Sequence, residues 1–202
     1  MMQIVYDYGD KVYLNITNRC PCACDFCVRR NTDDMGTGES LWLDHQPDFA
    51  EVKAAVDRHG IAPGQEVVFC GFGEPTEALD LLLETARYLK ETVPGVRVRV
   101  NTNGLSDLIN GETGTAKKLA GLVDKVSISL NASNARDYCA IVHPKFGERS
   151  FEAMLSFAED CRGVIPQVTL SVVDVIGEQE VEACRKLCAA RGLTLRVRKY
   201  IS

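Results

Sequence analysis

The sequence predicts an α/β fold, a partial (β/α)6 barrel entered through an N-terminal β-hairpin, and three observations carry that expectation. Strand-like and helix-like stretches alternate along almost the whole chain. The strands read apolar on one face and polar on the other. At 202 residues the chain is short beside the roughly 250 typical of a closed eight-stranded barrel. Alternation of this kind implies a parallel sheet with right-handed crossovers. A doubly wound sheet, buried on both sides, should read apolar on both. Half-polar strands therefore imply a curved sheet with helices outside and a polar, solvent-filled interior.

The elements follow in order. Residues 2–8 and 11–17 read as strands joined by the turn Gly9-Asp10. Further strands are expected at 66–70, 96–101, 125–130, 167–173 and 194–200, with helices opening near Asp48, Thr76, Thr115, Ser150 and Glu178. Thr76 follows Pro75 as a candidate N-cap, ahead of an apolar stripe of Leu79, Leu82, Leu83, Ala86 and Leu89. Gly60 and Gly192 sit where helices stop. Only Ile201 and Ser202 follow the last strand, so no helix is expected after it. Its edge should then be covered by a dimer or other partner, by a large substrate, or by the loop from Asn31 to Pro47. Taking alternate residues, Val12, Leu14, Val98, Val100, Val126 and Ile128 fall on the outer face. Asn15, Arg99, Asn101, Ser127, Ser129 and Arg198 fall on the inner one.

A composition of 46% hydrophobic and 25% charged residues suits one folded domain over residues 1–202. No apolar run is long enough to cross a bilayer, and Met1 leads into no secretory h-region, so no membrane partner and a cytoplasmic location are expected. The net charge of −5 argues against broad capture of nucleic acid through charge alone. Nine cysteines in a reducing compartment read as metal ligands, catalytic thiols or core fillers before disulfides.

Four of them form Cys20-Pro21-Cys22-Ala23-Cys24-Asp25-Phe26-Cys27, directly after the first core strand, where parallel barrels place their chemistry. Structural zinc usually takes two separated ligand pairs, and no second pair follows. Ferredoxin spacing needs a distant further ligand. Three thiolates, from Cys20, Cys24 and Cys27, can instead hold three corners of a cubane and leave one iron open, with Cys22 surplus.

Cys20-x-x-x-Cys24-x-x-Cys27, with Phe26 before the last cysteine, resembles the cluster motif of the radical S-adenosylmethionine (radical SAM) superfamily. Gly71-Phe72-Gly73-Glu74-Pro75 resembles its glycine-rich GGE(P) motif, where glycine lets backbone approach a ligand. Asn101-Thr102-Asn103-Gly104 is similar to its TNG signature, and Ser129-Leu130-Asn131 to its ribose- or carboxylate-binding residues. The strand carrying Ser171 occupies the position of adenine and ribose contacts, without the usual glycine. The stretch from Tyr13 to Arg30, the run Gly71-Phe72-Gly73-Glu74-Pro75-Thr76, Ser129-Leu130-Asn131-Ala132 and Arg196-Val197-Arg198 together look similar to the small TatD-associated radical SAM proteins.

The resemblance implies a TIM-like partial barrel holding a [4Fe–4S] cluster on Cys20, Cys24 and Cys27. It implies S-adenosylmethionine bound by Gly71, Gly73, Glu74, Pro75, Asn103, Ser129, Asn131 and Ser171. A flavodoxin- or ferredoxin-type donor would supply the electron that cleaves the cofactor to a 5′-deoxyadenosyl radical, which takes hydrogen from substrate. The alternatives are an iron–sulfur electron-transfer protein and a zinc-binding interaction module.

Among the remaining residues, Cys139 is a candidate hydrogen donor near the fourth-strand end. Cys184 and Cys188, at i and i+4, read as core thiols and Cys70 as strand packing. His59 suits a helix C-terminus, and His143 lies in a loop near the site. Arg97, Arg99, Arg196 and Arg198 on the inner face point to an anionic substrate or cofactor group. Arg198 lies nearest the active end of its strand; Glu66 is the acid expected to neutralise one of the four.

Overall fold

The computed structural model describes residues 2–36 and 38–200. Its single seven-stranded sheet runs in chain order: β1 (Val5–Tyr8), β2 (Lys11–Leu14), β3 (Glu66–Phe69), β4 (Arg97–Thr102), β5 (Lys125–Ser129), β6 (Gln167–Val173) and β7 (Leu195–Arg198). β1 pairs antiparallel with β2 through a turn at Gly9, where φ is +64°, a conformation glycine adopts freely. Every later pairing is parallel. β1 and β7 remain the two edges. This is the partial (β/α)6 barrel, with its hairpin extension, that the strand pattern predicts.

The crossovers carry α1 (Phe49–His59), α2 (Leu79–Thr92), α3 (Ser106–Asn110), α4 (Ala135–Val142), α5 (Arg149–Val164) and α6 (Glu178–Ala190). Among the described residues no helix is long and apolar enough to cross a membrane. The outer strand face supplies Val12, Leu14, Phe69, Val98, Val100, Val126 and Ile128 to one continuous core. Leu82, Ala86 and Leu89 of α2, Met154 and Leu155 of α5, and Cys184 and Cys188 of α6 close over it. The two α6 cysteines thus serve as small apolar fillers.

α1 opens on a complete capping box: Asp48 accepts from the Glu51 N–H, and Glu51 accepts in return from the Asp48 N–H. It stops at Gly60 in the left-handed region. Asp48→Ala should cost about 1 kcal/mol, read as a lowered urea midpoint at unchanged slope.

Three local expectations need correction. Thr76 does not cap α2. A short 3-10 turn, Pro75–Ala78, comes first, and Glu74 caps it by accepting from the Thr76 N–H, because an ionised carboxylate is the stronger acceptor. The stretch from Thr115 forms only the 3-10 turn Thr115–Leu119, whose first amides are held by the Asp107 carboxylate. α4 was not expected; its eight residues fall short of the length at which an apolar pattern reads as helix, but Asn134 caps them and His143 ends them at φ +46°.

Candidate active site

The chain leaving β2 is held by side-chain amides rather than by a neighbouring strand. Asn15 donates to Leu41 O at 2.6 Å, Gln46 donates to Ile16 O at 2.7 Å, and Asn18 both donates to Leu43 O at 2.8 Å and accepts from Leu43 N–H at 3.1 Å. A strap over residues 41–46 therefore joins the segment leading into β1, whose Ile4 O still accepts from Asn15 N–H at 2.8 Å, as the partner of residues 15–18. Asn31, four residues past Cys27, donates to the Tyr200 hydroxyl at 3.2 Å, joining the end of the cysteine loop to the chain after β7.

The cysteine loop itself docks on α4. Ala23 N–H donates to Val142 O at 3.1 Å and Asp25 N–H to Ile141 O at 3.0 Å. These last-turn carbonyls have no partner within the helix, so helix end and loop satisfy each other. His143 Nε2 adds a contact to Asp25 Oδ1 at 3.0 Å. Arg29, two residues past the last cysteine, reaches three carbonyls: Phe72 and Cys22 at 3.2 Å each and Asn18 at 3.4 Å. One guanidinium thus ties the cysteine loop to the glycine-rich turn after β3. Arg29→Met should lower stability by about 2–4 kcal/mol and reduce iron incorporation on reconstitution. Arg30→Met, whose guanidinium is exposed, should change stability by less than about 0.5 kcal/mol.

The glycines of that turn are required by the protein's own packing. A Cβ on Gly73 would lie 2.2 Å from Thr17 O and 2.7 Å from Arg19 O, both backbone atoms; one on Gly71 would lie 2.0 Å from Asn15 Oδ1. Gly73→Ala should therefore cost about 3 kcal/mol, measured by chemical denaturation, because the cysteine loop has to move to admit it.

Glu74 is the hub. It is buried, and its carboxylate accepts from Thr76 N–H at 3.1 Å, Thr76 Oγ1 at 2.8 Å, Thr102 Oγ1 at 2.6 Å and Asn103 N–H at 2.6 Å. Burial pushes its carboxyl above the usual carboxylate range while these donors pull it back. Asn103 in turn directs its amide at Cys22 Sγ, 3.7 Å away. The cysteine loop, the glycine-rich turn and the Thr102-Asn103 turn are therefore one interlocked unit.

Within it, Cys20, Cys24 and Cys27 are half-buried, whereas Cys22 is 5% exposed and joins the core. The closeness of the Cys22 thiol draws Cys20 and Cys24 below the ordinary thiol range and pushes Cys22 far above it. Burial raises Cys27, and Arg29 adds a favourable positive charge beside Cys20, Cys24 and Cys27. Among the described residues no group of three His, Cys, Asp or Glu side chains is gathered for a single ion. A cubane takes its thiolates on separate irons, so this donor set, soft and flanked by a cation, fits such a cluster. Tyr138 of α4 is buried beside the loop, its hydroxyl without a protein partner.

Ser129 and Ser171 are register partners across β5 and β6. Ser171 is buried and donates to Ile128 O at 3.4 Å. Asn131 is buried at φ +61° with an unpartnered Oδ1, an acceptor left over for a ligand. Pro75 and Thr76 are buried at the start of the 3-10 turn. Cys139 lies on α4 and packs partly against the main core, in the helical layer rather than on the inner sheet face. Cys70, expected as strand packing, follows outward Phe69 and so turns inward, where Asn101, Arg198 and Arg99 surround its thiol. The inner face is mixed: Asn15, Arg99, Ser127 and Ser171 are buried, Asn101, Ser129 and Arg198 are half-buried, and Arg196 is exposed. Sequence reasoning assigned no role to Arg29 and missed Asn18 and Tyr138. Only the position of Arg29 just after the cysteines hinted at its part.

A model of the Radical SAM superfamily matches residues 14–188. Among solved structures, native anSMEcpe with bound AdoMet superposes with a TM-score of 0.67 at 16% identity, over 94% of this chain and 51% of that one. Streptococcus suis SuiB bound to precursor peptide SuiA gives 0.68 at 14%, over 98% and 40%. A radical SAM methyltransferase from Sphaerobacter thermophilus gives 0.62 at 19%, over 96% and 68%. At these identities the likeness is one of fold, and the chain spans about half or less of the first two structures. No curated protein matches the chain.

Proposed function

Because this chain belongs to the radical SAM superfamily, we propose that it is a radical SAM enzyme, with Cys20, Cys24 and Cys27 as ligands of a [4Fe–4S] cluster. The observation that carries the reading is the interlocking of three motifs: Arg29 bonds the glycine-rich turn to the cysteine loop, and Glu74 bonds that turn to Asn103, which reaches back to Cys22. Held by Cys20, Cys24 and Cys27, such a cluster would supply the single electron for reductive cleavage of S-adenosylmethionine, the radical chemistry by which hydrogen would be taken from the substrate.

The residues' own roles are binding and shielding. Half-buried thiols offer three ligands without exposing the site fully to water. Backbone groups of Gly71, Gly73 and Pro75, with Asn103, Ser129, Asn131 and Ser171, would hold the cofactor. Glu74 acts as their brace, since all its hydrogen bonds go to protein donors. A flavodoxin- or ferredoxin-type donor would deliver the electron.

The test is anaerobic reconstitution followed by dithionite and S-adenosylmethionine. 5′-Deoxyadenosine should accumulate, and the reduced cluster's EPR signal should change when the cofactor binds. A loaded cluster that makes no 5′-deoxyadenosine would overturn the reading. An EPR signal indifferent to the cofactor would assign the protein to electron transfer instead.

A further inference from the structure

The inner sheet face carries a cluster of positive charge that the cofactor chemistry above does not use. Arg99 of β4 is the register partner of Lys125 of β5, and Arg196 and Arg198 of β7 are the partners of Ser171 and Val173 of β6. The curvature of the sheet brings these strands together. Burial lowers the pKa of both Arg198 and Lys125. Beyond burial, the Cys70 thiol raises Arg198 while Arg196 and Arg99 lower it, and Arg99 and Arg196 lower Lys125 while Glu66 raises it; Arg196 itself is exposed.

The acid that faces this group is Glu66, register partner of Arg97, and its Oε1 stands 3.8 Å from an Arg99 terminal nitrogen. That is an ion-pair separation but too far for a hydrogen bond, so Glu66 Oε1 keeps no hydrogen-bond partner. Among the described residues no carboxylate pairs with Lys125, Arg196 or Arg198. Glu74, above them, is already satisfied by its four donors. Arg99 is only 8% exposed, and the Nε atoms of both Arg99 and Arg198 are buried with no hydrogen-bond partner.

Burying like charges without acceptors is unfavourable on two counts: the charges repel, and each orphaned N–H has lost its water. An anion entering the barrel would relieve both. Guanidinium forks match the planar carboxylate and the phosphate oxygens, and such bonds are strongest away from solvent. We propose that Arg99 and Arg198, with Lys125 and Arg196 beside them, bind a carboxylate or phosphate group of the substrate inside the barrel. The inference rests on the reading of the barrel mouth as a reaction site, and makes the substrate an anion rather than a neutral molecule.

The experiment uses the reconstituted protein with inorganic phosphate and succinate as probes, each titrated at constant ionic strength against chloride. At least one should bind saturably and raise the melting temperature. Its affinity should fall about tenfold or more in Arg198→Gln and in Arg99→Gln, and stay unchanged in the surface variant Lys117→Gln. Arg198→Gln should also melt no lower than the parent in chloride alone, since it removes a repelled charge. If Arg99→Gln fails to fold because Glu66 is stranded, Arg198→Gln and Arg198→Lys decide, the lysine variant binding more weakly than the parent. Absence of saturable binding, or equal binding by Arg198→Gln, overturns the proposal. So does competitive displacement of the probe by S-adenosylmethionine, which would give these arginines to the cofactor's own carboxylate. Arginine-dependent probe binding without any 5′-deoxyadenosine would instead remove the radical reading and leave the anion site standing.

Discussion

Cys20→Ala, Cys24→Ala and Cys27→Ala should each abolish cluster assembly, while Cys22→Ala should keep it. The parent should carry about four irons per chain after anaerobic reconstitution, and the first three variants close to none. The four cysteines lie within eight residues of sequence, yet their surroundings separate them. Cys22 belongs to the core, whereas Cys20, Cys24 and Cys27 stay half-buried, with the positive charge of Arg29 beside all three favouring the thiolate that iron requires. Losing the small Cys22 side chain should cost stability of only about 1 kcal/mol, which a urea titration separates from any loss of iron. Iron counts in which Cys22 proved indispensable, with one of the other three dispensable, would reverse the assignment.

Glu74→Gln should have the largest effect of any single substitution outside the cysteines. The carboxylate receives four donors at 2.6 to 3.1 Å in a buried position. An amide in its place turns an N–H₂ toward donors that cannot all accept, and removes the charge that strengthened each bond. Hydrogen bonds to a charged group contribute about 1.5–3 kcal/mol each, and relaxation recovers part of the sum, so a net loss of about 3–4 kcal/mol is expected. Thr102→Val, which removes one donor, should cost about 1–2 kcal/mol. The variant that still folds should bind S-adenosylmethionine at least about tenfold more weakly, because Asn103 is released from its place. Wild-type affinity in a folded Glu74→Gln protein would show that the brace is dispensable.

Much of the architecture was legible because it rests on local period. Val12, Val98 and Val126 alternate with Tyr13, Arg99 and Ser127, and a strand presents successive residues to opposite faces. The polarity of that alternation implied curvature, and strand order followed chain order without a crossover to guess. The motifs after β2, β3, β4 and β5 could likewise be placed, since each closes a strand. Period fails for short elements. α4 has eight residues and α3 five, below the length at which a pattern is assigned to a helix rather than a loop, and the turn at Thr115 has helical spacing but ends after five residues.

What the sequence by itself determined is the family, the sheet's two unlike faces and a run of four closely spaced cysteines after the first core strand, all properties of residue type and near spacing. Only the tertiary structure decided what those residues touch. Cys22 meets Asn103 across 81 residues of chain, Arg29 meets Phe72 across 43, and His143 meets Asp25 across 118. It decided that Gly73 is glycine because another backbone occupies the Cβ position, that Glu74 braces its neighbours, and that Arg198 is left without an acid. Such facts depend on which distant segments the packed core brings into contact, and no window of sequence contains both partners.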